Sequence, residues 1–281
     1  MRASRIISDA AGCSLPVHLP VRRIVSLVPS LTETLFEIGA GDVVAGVSDF
    51  CRHPCERIAA LPKVGGPKNP DANAIAGLQP DLVLMDYDEN RRADYESLVQ
   101  RFPVYVSNVR KVADVPPLLC HLGAITGCGQ RANAIAADLE SRLQMADASP
   151  RAQRATAVVL LWREPLVTAG GETYITDLLR IVGIENAFAS VVGRYPVISE
   201  SRIAARNPHW VLFPSEPYGW RMSEIEALQN RWLRGGCTAA PQPIDGEMLG
   251  WFGTRTLSAL QYAVPEWHRK LVAPFQVQST V

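Results

Sequence analysis

Two stretches of the chain repeat one hydrophobic pattern. Ile75 to Leu84, IAGLQPDLVL, and Ile203 to Leu212, IAARNPHWVL, each set an Ile-Ala pair, a proline five positions after the isoleucine, and a closing Val-Leu. Each predicts a helix end, a proline that stops it and a short buried strand, because the residue before a proline is steered out of the helical region. The segments upstream agree. RIVSLVPSLTETLFEIG and AVVLLWREPLVTAGGETYITDLLRIVG each predict an apolar β-branched strand, a loop and an amphipathic helix ending at Gly39 or Gly183.

Strand, helix and strand in succession imply parallel sheets, so the duplication predicts an α/β protein of two Rossmann-like lobes. Between them, VADVPPLLCHLGAITGCGQRANAIAADLESRLQMADAS is rich in Ala and Leu and predicts one long connecting helix from Pro117 to Met145. The expected division is an N-terminal lobe over 1–115, the connecting helix over 116–148 and a C-terminal lobe over 149–281. Ligands of open α/β sheets bind at the carboxyl ends of the strands, which here would face a cleft between the lobes. The loops expected there are Pro29–Thr32, Ser48–Cys55, Asp86–Arg91, Trp162–Tyr174, Ser215–Trp220 and Gly246–Arg255. In or beside them fall nine aromatics: Phe50, Tyr87, Trp162, Tyr174, Tyr195, Tyr218, Trp220, Trp251 and Phe252. Such rings on loops suit a broad, flat, partly apolar ligand.

Composition narrows the choice of partner. Of the 281 residues, 47% are hydrophobic, enough for a sizeable core. The 28 basic and 28 acidic residues cancel, so no net positive field favours nucleic acid or an anionic membrane. No apolar run approaches the ~20 residues of a spanning helix, so no membrane insertion is expected. The opening MRASRIISDAAGCSLPVHLP lacks the apolar core of an export signal, and Asp9 breaks the faint lipoprotein box that ends at Cys13. Six cysteines without a compact framework fit reduced thiols. A cytoplasmic monomer is therefore expected, or a periplasmic protein should the true start lie upstream.

Catalytic signatures are missing: there is no nucleophile elbow, no phosphate-binding loop and no His-Glu-x-x-His. GAGDVVAG, Gly39 to Gly46, follows a helix instead of opening one and fails the dinucleotide test. A non-enzymatic binding protein is expected. The stretch SDFCRHPCE leaves another class open, direct metal binding or thiol chemistry through Cys51, His53 and Cys55. The residue types suit zinc, copper or haem iron, yet a tetrahedral site needs four ligands. Cys51 and His53 fall on one side of an extended chain and could serve two ligands, or His53 or Cys51 could reach the metal of a bound chelate as an axial ligand.

The order RIVSLVPSLTETLFEIGAGDVVAGVSDFCRHP, LPKVGG, IAGLQPDLVL, the Ala/Leu-rich helix, WREPLVTAGGETYITDLLRIVG and NPHWVLFPSEPY resembles the substrate-binding proteins of ABC importers for cobalamin and ferric siderophores. The likeness runs from about Ile7 to Tyr262 and is nearest to the cobalamin-binding branch. It implies two α/β lobes on one rigid backbone helix, with a chelated metal held between them and no obligatory cofactor of the protein's own. The bound molecule would be a corrinoid or, as the alternative, a ferric siderophore or haem. Phe50, Tyr195 and Arg255 match aromatic and arginine positions of that cleft, and Lys68 would face Arg255 across it. Gly12-Cys13 would be a hairpin turn. Importer-coupled members carry one surface glutamate per lobe to meet the permease. This chain has Asn73 and Ser201 there, with Asp71 and Glu200 out of register, which puts a permease partner in doubt.

Overall fold

The computed structural model describes residues 3–10, 12–148 and 155–272. The chain divides into two compact units. The first comprises Met1–Val109, Asp114–Glu140 and Phe252–Leu257; the second comprises Arg110–Ala113, Ser141–Trp251 and Ser258–Val281.

In the first unit, β1 (Ala3–Ser8) and β2 (Ser14–Leu19) form an antiparallel hairpin, with Ile6 opposite Pro16. Its turn carries Gly12 at φ 81°, and the Gly12 amide donates to the Asp9 carbonyl. The main sheet consists of β3 (Ile24–Ser26), β4 (Val44–Val47), β7 (Leu82–Asp86) and β8 (Val104–Ser107), all parallel, in the order β4-β3-β7-β8. Two short strands, β5 (Gly65–Gly66) and β6 (Asn69–Pro70), pair separately. Every residue of β3, β7 and β8 is buried, which explains why these segments read as unbroken apolar runs: a parallel strand is covered on both faces. The helix Pro29–Glu37 starts directly after β3 with Pro29 in its first turn, where no backbone donor is lost.

In the second unit, β9 (Ala155–Trp162) lies at the centre. β12 (Trp210–Pro214) pairs with it in parallel, and β13 (Ala240–Ile244) pairs in parallel with β12. Two short strands join β9 at its two ends: β10 (Val167–Thr168), antiparallel, and β11 (Ile184–Asn186), parallel. The core gathers Val158, Leu160, Phe188, Ile203, Val211, Phe213 and Trp232 around this sheet.

The duplicated segments fold alike. Helix Ala72–Gly77 leads through Gln79 and Pro80 into β7, and helix Glu200–Arg206 leads through Asn207 and Pro208 into β12. Both pre-proline residues turn left-handed, Gln79 at φ 47° and Asn207 at φ 39°. Gly39 and Gly183 close their helices at φ 90° and 94°, as expected.

The single helix expected from Pro117 to Met145 is two helices, Val115–Thr126 and Gly129–Ala148. Gly127 breaks it, at φ 79°, with its amide donating back to the Gly123 carbonyl. That left-handed cap suits glycine, whose missing Cβ removes the steric cost. The second of these helices begins in the first unit and counts with the second from Ser141 onward. Among the described residues no helix is long and apolar enough to cross a membrane.

Candidate functional site

In the first unit the carboxyl ends of β4 and β7 carry Phe50 and Tyr87, which are 55% and 58% exposed. Neither stands on a loose loop. After β4, the Ser48 amide donates to the Ser26 carbonyl (3.1 Å), Asp49 to Gly65 (2.9 Å) and Cys51 back to Ser48 (3.1 Å). Beneath Phe50, the Cys51 thiol contacts the hydroxyls of Thr32 (3.1 Å) and Ser48 (3.3 Å), and Thr32 donates to Ser26 (2.8 Å). All four of these side chains are buried.

After β7 the turn is built on Asp86. One carboxylate oxygen accepts from the amides of Asp88 (2.9 Å) and Glu89 (3.3 Å), the other from the Ser107 hydroxyl (2.6 Å). Asn90 accepts from the Asp86 amide (2.8 Å) and donates to the Pro67 carbonyl (2.8 Å). Burial raises the Asp86 carboxyl to about 6 against these hydrogen bonds, because removal from water disfavours the charged form.

In the second unit Trp162, the last residue of β9, is 44% exposed. It meets Tyr218 edge to face at 5.5 Å, and Tyr218 meets Trp220 at 4.8 Å. Trp220 packs on the buried Phe213 at 5.0 Å and donates its Nε1 hydrogen to the Leu160 carbonyl (2.9 Å). Tyr195, 39% exposed, sits between two carbonyls that hold its segment to β10 and the turn after it. Arg194 accepts from the Gly170 amide (2.7 Å) and Pro196 from the Thr168 amide (3.1 Å).

Three of the expected ligand-facing aromatics are buried. Tyr174, Trp251 and Phe252 are at 4%, 6% and 7% exposure, while Trp220, like Tyr218, is half-buried and packs against the core of the second unit. Tyr174 opens helix Tyr174–Val182, and the Trp251 indole donates to the Glu216 carboxylate. The reason is general: large rings next to a sheet bury more area inward than a loop can offer outward.

Arg255 and Lys68 were expected to face each other from opposite lobes. Both belong to the first unit. Arg255 makes a two-pronged pair with Glu33 at 2.8 and 2.6 Å, and Lys68 donates to the Asp88 carbonyl (2.8 Å). The turn before Arg255 brings Gly253, at φ 94°, against the first helix. A Cβ there would stand 2.1 Å from the Thr34 hydroxyl oxygen, so only glycine fits.

Cys51, expected beside His53 at a chelated metal, is buried at 3% exposure. Burial pushes its thiol up, against the hydrogen bonds from Ser48 and Thr32. A neutral, enclosed thiol is a poor metal ligand. His53 remains half-buried before a cis proline, and Cys55 is exposed as the first residue of helix Cys55–Ala59. Among the described residues, no three His, Cys, Asp or Glu side chains gather around a point where a metal ion could sit. The direct metal site considered from SDFCRHPCE therefore lacks its ligands.

Of the two acids that the sequence sets out of register with a permease contact, Asp71 caps helix Ala72–Gly77, accepting from the amides of Asn73 and Ala74. Glu200 pairs with Arg231 at 2.8 Å. The second unit also holds a cavity of about 430 Å³ beside helix Tyr174–Val182, with no aromatic side chain in its wall. Its rim includes the ion pairs Arg110–Glu172 (3.3 Å) and Arg180–Asp177 (2.9 Å).

Sequence reasoning missed Glu33 and Glu224, the acids that anchor Arg255 and the Trp162–Tyr218 loops. Glu224 had a signal, an acid three residues after Arg221 at a helix start; Glu33, mid-helix, had none.

Comparison with known proteins agrees with this architecture. A vitamin B12-binding protein of Vibrio parahaemolyticus is 28% identical over 198 residues, covering 70% of this chain and 71% of that protein. The crystal structure of the periplasmic vitamin B12 binding protein of Vibrio cholerae superposes with a TM-score of 0.73 at 21% identity, over 89% of this chain and 98% of that one. A periplasmic haem binding protein of Pseudomonas aeruginosa gives 0.74 at 23% identity, over 89% and 94%. At these identities the two structures share the fold. The sequence pattern described as "Periplasmic binding protein" matches residues 24–228. That match overturns the cytoplasmic placement expected from the N-terminal residues and the thiols, since the family is periplasmic. Over most of its length, then, the chain has the sequence pattern and the parallel α/β fold of the periplasmic binding protein family, and it belongs to that family.

Proposed function

We propose that this protein binds a planar metal chelate, a corrinoid before others, through the aromatic loops at the carboxyl ends of its parallel strands. The observation that carries this reading is the solvent exposure of Phe50, Tyr87 and Tyr195 on hydrogen-bonded loops and of Trp162 at the end of β9. Exposed rings held still form a preordered apolar surface, which costs little entropy when a flat ligand covers it. The named function of the curated relatives, vitamin B12 binding at 28% identity, supports a corrinoid. The half-buried Tyr218 would complete the second unit's surface, and the half-buried His53, three residues after Phe50, is an imidazole of the type that ligates chelated metals.

Binding requires no bond-making by the protein, and none of its groups is assigned a catalytic part. Asp71 and Glu200 are engaged in a helix cap and an ion pair, so no permease contact is assigned to them.

Titration with cyanocobalamin tests the reading. Trp162 is exposed and should be the main reporter, so saturable quenching of tryptophan fluorescence with matching calorimetric heat is expected. Absence of both at high micromolar ligand would overturn it. A second reading, haem or a ferric siderophore, draws on the same rings and on His53. Tighter saturation by haemin or a ferric hydroxamate in the same titration would favour it.

A further inference from the structure

Behind the rings of the second unit lies a charged knot. Glu224 sits in the first turn of helix Met222–Arg234 and is only 6% exposed. Its carboxylate accepts from the Tyr218 hydroxyl (3.0 Å), from the Arg221 guanidinium (2.9 Å) and from the Arg221 amide (2.9 Å). It also accepts from the Arg163 guanidinium. The positions of these donors in the chain give the knot its meaning. Arg163 directly follows Trp162, Arg221 directly follows Trp220, and Tyr218 lies between the two rings in space. One carboxylate thus ties together both loops that carry the exposed face. The Arg221 side chain and then its amide hold this carboxyl down to about 2, so it stays ionised across the working range.

We propose that Glu224 is a positioning residue for ligand recognition: it touches no ligand, but through Tyr218, Arg163 and Arg221 it fixes Trp162 and Tyr218 as one preordered face. The ligand readout rests on the binding function proposed above; the orientation of the rings does not. Rings that must be immobilised on binding lose affinity, whereas rings fixed beforehand do not. A carboxylate serving four donors is also hard to replace, because removing it takes a shared acceptor from two guanidiniums and a phenol at once.

Three variants separate this role from simple helix capping. Tyr218→Phe removes the tether to the ring, together with the phenol's interaction with Arg163, and leaves the cap intact. Glu224→Gln keeps one oxygen, for either the Tyr218 hydroxyl or the Arg221 amide, which bond different carboxylate oxygens, and loses the charge that gathers the arginines. Glu224→Ala removes everything. Each is compared with the wild-type chain by near-ultraviolet circular dichroism, which reads coupling among Trp162, Tyr218 and Trp220, and by cyanocobalamin titration. Expected for Tyr218→Phe are a reduced aromatic band, a lowered unfolding midpoint from the loss of one hydrogen bond to a charged group, and about tenfold weaker binding, the order of one side chain that must be immobilised on binding. Glu224→Ala should lose more of both, and Glu224→Gln should recover part of the loss.

The proposal fails if Tyr218→Phe and Glu224→Gln both keep the wild-type aromatic band and bind within twofold of wild type. Should Glu224→Ala not fold, those two variants still decide. Should wild type bind neither cyanocobalamin nor haemin, the ligand reading falls, while the circular dichroism comparison still tests the positioning.

Discussion

The two units present exposed rings at equivalent ends of their sheets, yet they hold them in opposite ways. In the first, Phe50 and Tyr87 each belong to a turn built on a small buried polar cluster: Cys51, Thr32, Ser48 and Ser26 in one, Asp86, Ser107 and Asn90 in the other. In the second, Trp162 begins a continuous ladder through Tyr218, Trp220 and Phe213 to the buried Trp232, which stacks on Phe213 at 6.2 Å. A ring can thus be fixed from below by hydrogen bonds in the backbone turn that carries it, or sideways by other rings. The first device lets the ring change with little effect on the core, whereas the second couples the binding surface to the stability of the unit.

The largest expected effect tests that coupling directly. Phe213→Ala should destabilise the protein by about 3–5 kcal/mol, the usual cost of emptying a buried aromatic site, while Phe50→Ala should stay within about 0.5 kcal/mol. Denaturant unfolding measures both. Equal costs would erase the distinction between the units.

Next in size is the pH response of the first unit. The Asp86 carboxyl titrates at about 6 when folded and near 3.8 when exposed. Its folded value is raised, so the unfolded chain gives up this proton first, and stability falls as pH rises from about 4 to 6 before levelling off. The Asp86 contribution is on the order of 3 kcal/mol. Asp86→Asn should remove this slope, and a variant that kept the full wild-type slope would contradict the assignment.

A smaller effect is expected from the thiol under Phe50. Cys51→Ala should cost about 1–2 kcal/mol, because it empties space beside Thr32 and Ser48. Maleimide labelling followed by mass spectrometry should modify the exposed Cys55 well before Cys51, whose thiol is enclosed and harder to ionise. Simultaneous labelling would show that the loop opens readily.

The smallest effect probes the duplication itself. Gln79 and Asn207 occupy the same left-handed corner before a proline. The corner strains glutamine more than asparagine, and Asn207 also accepts from the Thr238 amide (2.9 Å). Gln79→Gly should stabilise by about 0.5 kcal/mol, and Asn207→Gly should destabilise slightly. Reversal of these signs in calorimetry would mean the two corners are not equivalent.

Much of this was readable in the chain. Pro80 and Pro208 marked the ends of equivalent helices, β-branched runs marked the buried parallel strands, and Gly39 and Gly183 marked helix ends. These signals are local, set by φ restrictions and by the period of the apolar positions. The break at Gly127 was not read, because a glycine within an Ala- and Leu-rich run keeps the helical period on either side. Nor was the fate of the rings. Phe50 and Phe252 look alike in sequence, yet one is 55% exposed and the other 7%.

By itself the sequence determined the element order, the parallel α/β plan and its duplication, since each follows from backbone preferences and from burial on one or both faces. Only the tertiary structure decided which aromatics face solvent, that Cys51 turns into a hydroxyl cluster while His53 stays half-exposed, and that Arg255 is held by Glu33 and the Trp162 loops by Glu224. Those outcomes depend on pairings between residues as many as 222 positions apart, and no local pattern encodes which distant partner a side chain will meet.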